Sequence, residues 1–216
     1  MDKITKHVTR NNCYMNVIDK KQLDISSLAQ ALFAGQTIVY PTETCYGLGC
    51  DATNQLAVDT IFDIKKRQRN KPVLVVAHDL SVMLEHVFDS ETLFEIEEKY
   101  WPGPLTVVTK VRLDSTLAKG VIAEDGTVAF RITEHPIAAA LCQAINGPLV
   151  STSANISTHE SPYDIKNVLA MFDHELVQPD IVIDGGKLSH ESPSTIVRIH
   201  EDGTLEVLRE GEIILH

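Results

Sequence analysis

Strand-like segments that alternate with helical ones predict an α/β domain: a single domain with a twisted mixed sheet flanked by helices. Three observations carry this reading. Apolar runs such as TIVY and VLVVA have the length of buried strands. Stretches with apolar residues at helical spacing fall between them. Three strand-like segments, Asp180 to Ile183, Thr195 to Ile199 and Leu205 to Arg209, follow one another near the end of the chain. A length of 216 residues suits one domain with a proper core. No repeat or linker divides it. Residues 1–13 read as a loose polar N-terminal segment and 14–216 as the domain.

The elements follow in order. Met15 to Ile18 starts a strand. Ser26 to Phe33 forms a helix with Leu28, Ala31 and Leu32 on one face and Gly35 as its stop. Thr37 to Tyr40 is a short buried strand, which Pro41 is expected to break. In PTETCYGLG, Gly47 and Gly49 flank Leu48 and allow close backbone approach. Asn54 caps a helix that turns Ala57, Ile61 and Ile64 inward and ends near Lys65. Pro72 discourages helix at Lys71. Val73 to Ala77 is a central strand. Helices over Leu80 to Val87 and Glu91 to Tyr100 follow, the second stopped by Trp101-Pro-Gly-Pro104. Leu105 to Lys110 and Thr127 to Ile132 alternate as strands do. Pro136 to Ile145 is helical, Pro148 to Thr152 is a strand, and Asp164 to Phe172 is a helix.

Composition excludes several classes. Apolar residues make up 44% and charged residues 23%, which is globular rather than disordered. The net charge of −11 argues against generic nucleic-acid binding. Yet five of the 19 cationic side chains lie between Lys65 and Lys71, a positive island suited to a focused anion. Cys13, Cys45, Cys50 and Cys142 form no CxxC and read as reduced thiols of a cytoplasmic protein. The histidines show no metal-binding spacing. The N-terminus lacks the apolar core of a secretory signal, and no apolar run is long enough for a membrane.

Two motifs carry the functional signal. KKRQRNK holds Lys65 and Arg67 at i and i+2, and STSAN holds Ser153 and Asn155 at the same spacing. On a strand such residues share a face; on a helix they diverge. Both segments are therefore expected to be extended and to face one cleft. Neither lysine nor arginine there looks like core. A lining of cations with short hydroxyl and amide donors suits triphosphates and carboxylates. Cations at a helix C-terminus also offset its dipole without any ligand. Thr42, Glu43 and Thr44 cluster just past a buried strand, where α/β sheets place their sites. Glu43 is open to three roles: general base, metal ligand or partner of an arginine. Arg131 ends an apolar strand and needs a partner, either Glu43 or a substrate carboxylate. Trp101 belongs to the core rather than to a stacking site. No histidine or lysine spacing marks a nucleophilic serine, so Ser153 and Asn155 read as binders.

In this order, PTETCYGLG, Lys65-x-Arg67 with Lys71-Pro72, WPGPLT, TVAFRI with His135-Pro136, PLVSTSAN, SPSTI and LREG resemble the YrdC-type threonylcarbamoyl-AMP synthase family, in its short single-domain form. The resemblance implies a YrdC-like sheet wrapped around a large positively charged cavity. It implies a nucleotidyltransferase that makes L-threonylcarbamoyladenylate and pyrophosphate from L-threonine, bicarbonate or CO2, and ATP. The product serves N6-threonylcarbamoyladenosine modification of tRNA, by hand-off to the tRNA threonylcarbamoyl-transferase machinery. By motif position, Thr44, Arg131, Ser151 and Ser194 would contact threonine. Arg67, Lys71, Thr127, Ser153, Asn155, Ser161 and Arg209 would contact ATP, and Lys65 and Arg67 would be catalytic. Mg²⁺ would arrive through the ATP phosphates, with no protein metal site. The chain departs from longer members at Val76, where they often carry His. Lys71 stands where many members have Asn, and Ser151 where a small apolar residue is common. The alternative reading is a non-catalytic RNA-binding or ribosome-maturation module that uses the same basic cavity.

Overall fold

The computed structural model describes residues 15–190 and 192–215. The N-terminal segment 1–13, with Cys13, lies outside the described residues. Two mixed sheets form where one was expected. The first contains β1 (Asn16–Asp19), β2 (Ile38–Pro41), β3 (Tyr46–Gly49), β8 (Thr152–Ser153) and β9 (Ile181–Asp184), in the order β1-β9-β2-β3-β8. The second contains β4 (Val75–Ala77), β5 (Leu105–Lys110), β6 (Thr127–Ile132), β7 (Leu149–Val150), β10 (Thr195–Ile199) and β11 (Leu205–Arg209), in the order β11-β10-β5-β6-β4-β7. The helices are α1 (Ile25–Phe33), α2 (Gln55–Lys65), α3 (Leu80–Leu84), α4 (Glu91–Tyr100), α5 (Pro136–Ile145) and α6 (Ile165–Phe172).

The expected strand over 148–152 explains the second sheet. It is two short strands, β7 pairing with β4 and β8 pairing with β3, with Ser151 between them. The chain therefore crosses from one sheet to the other within five residues, and Ser151 marks the crossing. Pro41 does not break its strand. It closes β2 opposite Tyr46, at the β2–β3 turn. A proline without an N–H is tolerated at such an end. The helix after Asp79 is a single short one, ending at Leu84 rather than Val87.

The apolar patterning divides the core by strand periodicity. Along β2, Ile38 and Tyr40 join a cluster with Leu28, Leu32, Leu141 and Ile145 of α1 and α5, while Val39 points into the larger cluster. Along β9, Ile181 and Ile183 face α1 and α5, and Val182 faces the other way. This two-residue alternation is what a sheet covered on both faces demands. The caps follow the sequence. Asp24 accepts from the Ser26 and Ser27 amides at the start of α1, and Asn54 accepts from Ala57 N at the start of α2. Trp101 is buried against Phe130 and donates to Leu105 O at 2.7 Å.

Register carries one face across the second sheet. Val76 pairs with Arg131, Ala129 with Val108, and Val108 with Arg198, so these side chains share a face. Thr127 lies on it as well, four residues before Arg131, about 13 Å away at strand rise.

The glycines of YGLG meet the protein itself. A Cβ on Gly49 would lie 2.2 Å from Val150 O, where β3 passes the crossing strand. Gly49→Ala is expected to destabilise the fold by about 2–3 kcal/mol, since backbone must shift to admit the methyl. Urea denaturation checks this, with Gly126→Ala as the control: its Cβ would meet nothing within 4 Å, so only the φ strain is felt.

Candidate active site

The Lys65–Arg67 segment is not extended. Lys65 is the last residue of α2, and Lys66 turns the chain through the left-handed region at φ 49°. That turn, not a strand, separates the two side chains. Lys65 goes inward: it is 2% exposed, against the expectation of a surface position. Its ammonium donates to Ser153 O, to Asn155 O at 2.9 Å and to Asn155 Oδ1 at 3.1 Å. Ser153 Oγ donates to Asn155 Oδ1 at 2.5 Å, and Asn155 N donates to Ser153 O at 2.9 Å. Asn155 Nδ2 donates to His159 O. The two motifs are thus one buried knot.

Arg67 is half-buried. Its Nε donates to Lys71 O at 2.8 Å and its Nη2 to Pro72 O at 3.0 Å, which holds the 67–72 loop as a cradle. The rest of the island diverges. Arg69 turns back onto α2, paired with Asp59 and Asp63 at 2.7 Å and lying over the Phe62 ring. Lys66 pairs with Glu175. A recess of about 410 Å³ remains, lined by Lys65, Lys66, Arg67, Gln68, Lys71, Asn155, Ser157 and Thr158, with no carboxylate in its wall. Ser157 Oγ is buried there without a hydrogen-bond partner. Ser157 was not singled out from sequence, although it sits in the same Ser/Thr-rich turn.

A second group of polar residues lies around Arg131. Arg131 Nη2 pairs with Glu43 Oε1 at 2.8 Å, the side chains being 6% and 14% exposed. Of the roles open to Glu43 and the partners open to Arg131, this ion pair is realised. Arg209 grips Ser194: Nη2 donates to Ser194 O at 2.6 Å and to Ser194 Oγ at 3.0 Å. Burial, and then the nearby Arg131 charge, push the Arg209 guanidinium down from its usual range. Ser194 Oγ also contacts Thr106 Oγ1 at 3.0 Å. Ser151 sits beside the Tyr40 hydroxyl without a well-formed hydrogen bond. Burial pushes the Tyr40 phenol up.

Cys45 joins the two groups. Its thiol is pushed up chiefly by burial, while the Thr44 and Ser161 side chains and the Lys65 and Arg131 charges act to lower it. The Thr44 and Ser161 side chains therefore lie beside the thiol, with the Lys65 and Arg131 charges within electrostatic range. Thr44 Oγ1 also meets Thr42 Oγ1 at 3.3 Å. Thr127 stands apart at the far end of β6. Its hydroxyl donates to Asp125 Oδ1 at 2.6 Å, and it lines a recess with Lys110, Arg198, His200 and Asp202.

Among the described residues, no group of three or more His, Cys, Asp or Glu is placed to hold a metal ion, and no helix is long and apolar enough to cross a membrane.

The Sua5/YciO/YrdC family, described by the words telomere recombination, matches residues 30–211. The chain belongs to this family. A relative from Methanocaldococcus jannaschii named "Putative threonylcarbamoyl-AMP synthase" is 32% identical over 200 residues, covering 92% of this chain and 90% of the relative. Among Sua5/YciO/YrdC structures, P. abyssi Sua5 complexed with L-threonine superposes with a TM-score of 0.80 at 28% identity over 90% of this chain. This chain spans 57% of that longer protein. E. coli YciO superposes with a TM-score of 0.75 at 26% identity, over 90% of this chain and 94% of its own.

Burial, and secondarily the Arg67 charge, push the Lys65 ammonium down to about 7. The three acceptors it faces pull the other way but do not restore the usual value. The folded state then gives up this proton near pH 7, and the unfolded state keeps it up to about 10.5. Unfolding takes up a proton between these values, so this group makes stability rise with pH across that window. Denaturant titrations of the wild type and Lys65→Met at pH 7 and 9.5 are expected to show a wild-type advantage that grows with pH, by up to about 1.4 kcal/mol per unit.

Proposed function

We propose that the protein is an L-threonylcarbamoyladenylate synthase, using L-threonine, bicarbonate or CO2, and ATP. The observation that carries this reading is the juxtaposition built by Lys65. One buried ammonium ties the Ser153–Asn155 turn to α2, and so sets a carboxylate-free cationic recess next to the residues around Cys45, with Arg131 in electrostatic reach. Family membership and the L-threonine complex of P. abyssi Sua5 support it.

The chemistry needs no protein nucleophile. The neutral threonine amine adds to CO2 and gives up one proton to solvent, leaving a carbamate. A carbamate oxygen then attacks the α-phosphorus of ATP. The bond from that phosphorus to the bridging oxygen breaks, and its electron pair leaves on pyrophosphate. Arg67 and Lys71, with Asn155 and Ser157, would hold the phosphates, where preorganised cations stabilise charge that grows toward the transition state. Arg131, Thr44, Ser151 and Ser194 would hold the amino acid. Binding all reactants in one place supplies effective molarity. In this reading Lys65 positions the turn rather than touching the reacting atoms. Mg²⁺ would be carried by the phosphates, since the recess offers it no carboxylate. The labile product would pass to the machinery that transfers threonylcarbamoyl to tRNA.

Pyrophosphate release is expected to require threonine and bicarbonate together, and to fall sharply with serine. Release indifferent to both, or steeply salt-dependent RNA binding without turnover, would remove this assignment. Arg67→Ala is expected to lower kcat/KM at least about 100-fold, with a stability loss of no more than about 2 kcal/mol from its two hydrogen bonds to the 67–72 loop.

A further inference from the structure

The Glu43–Arg131 pair is unfinished as a salt bridge. Both oxygens of Glu43 are buried without a hydrogen-bond partner, and so is Arg131 Nε. The 2.8 Å contact between Arg131 Nη2 and Glu43 Oε1 joins the charges without hydrogen-bond alignment. Around them, the Tyr40 hydroxyl and His135 Nδ1 are also buried and unpartnered. Buried polar groups are nearly always paired, and an unpaired carboxylate oxygen in this setting calls for a donor. A carboxylate and a guanidinium side by side, each with free valence, complement a small zwitterion.

We infer that Glu43 is the receptor for the α-ammonium group of the amino-acid substrate, and so determines selection of amino acids over hydroxy acids. The assignment rests on the proposed synthase reading and adds to it a residue with no binding role so far. Arg131 takes the carboxylate of the same molecule. A divalent metal ion fits poorly in place of the ammonium. The guanidinium lies 2.8 Å from Glu43, and the described residues bring no further carboxylate, histidine or cysteine set to complete a metal site. A monovalent ammonium has the charge and the donor count that Glu43 Oε2 and Oε1 can satisfy. The site then disfavours a ligand without the amine, because the Glu43 oxygens would stay buried without a hydrogen-bond donor.

A ligand–protein cycle tests this with the full chain. Calorimetric titration measures L-threonine and its desamino analogue 3-hydroxybutyrate against the wild type and Glu43→Gln. The wild type is expected to prefer threonine by about 100-fold. In Glu43→Gln that preference should fall below about 3-fold, with threonine binding weaker and 3-hydroxybutyrate binding no weaker than in the wild type. Persistence of the preference in Glu43→Gln overturns the inference, as does an equal loss of affinity for both ligands, which would mean that Glu43 acts only by holding Arg131. ATP affinity equal to wild type certifies that the variant is folded. If Glu43→Gln does not fold, Glu43→Asp replaces it and should shrink the preference at least about 5-fold; an undiminished preference again overturns the inference. Threonine-dependent pyrophosphate release by the wild type separates the two readings: if it is present while the preference survives in the variant, only the Glu43 assignment falls.

Discussion

A lysine ammonium buried at the end of α2, facing the acceptor groups of Ser153 and Asn155, is the constraint on which the site depends. Burying an ammonium is costly unless every proton finds an acceptor. Here the cost is offset only in part, by curling the chain after β8 so that main-chain and side-chain oxygens converge on one point. The same convergence brings a Ser/Thr-rich turn onto the C-terminus of a helix. Arg67 and Lys71 then line the recess beside it. The left-handed Lys66 supplies the turn that lets Lys65 go inward while Arg67 faces the recess.

The second constraint is the crossing at Ser151. By leaving β7 for β8, the chain joins two sheets at a single residue, and Gly49 allows the backbones to pass. The polar groups at the ends of β2 and β6 then meet: Glu43 from one sheet's turn, Arg131 from the other sheet's strand. Neither sheet alone would hold both charges. Two other cations of the island, Arg69 and Lys66, have acidic partners away from this pair.

Much of this architecture was legible along the chain. The caps at Asn54 and the helices over 91–100 and 136–145 follow from local patterning, where short-range sterics and capping decide. Arg131 demanded a partner because an arginine ending an apolar strand cannot stay unpaired, and Glu43 was one of two candidates. The i, i+2 spacing predicted extended chain at Lys65–Arg67, and that geometry is wrong. It paired Lys65 with Arg67 across an extended segment, whereas a left-handed residue does the work and sends the two apart. Lysine at a helix end next to four other cations reads as solvated, and nothing local reveals that its acceptors lie 88 and 90 residues away.

Sequence by itself determined the class of fold and the boundaries of most helices and strands. These depend on periodicity, capping and composition, which act over a few residues. Only the tertiary structure decided that there are two sheets, that Lys65 is a buried strut, that Glu43 pairs with Arg131, and that Thr127 lies at the far end of the shared face. Each of these turns on which distant segment supplies the partner for a buried polar group, and that choice is made by long-range packing rather than by any neighbouring residue.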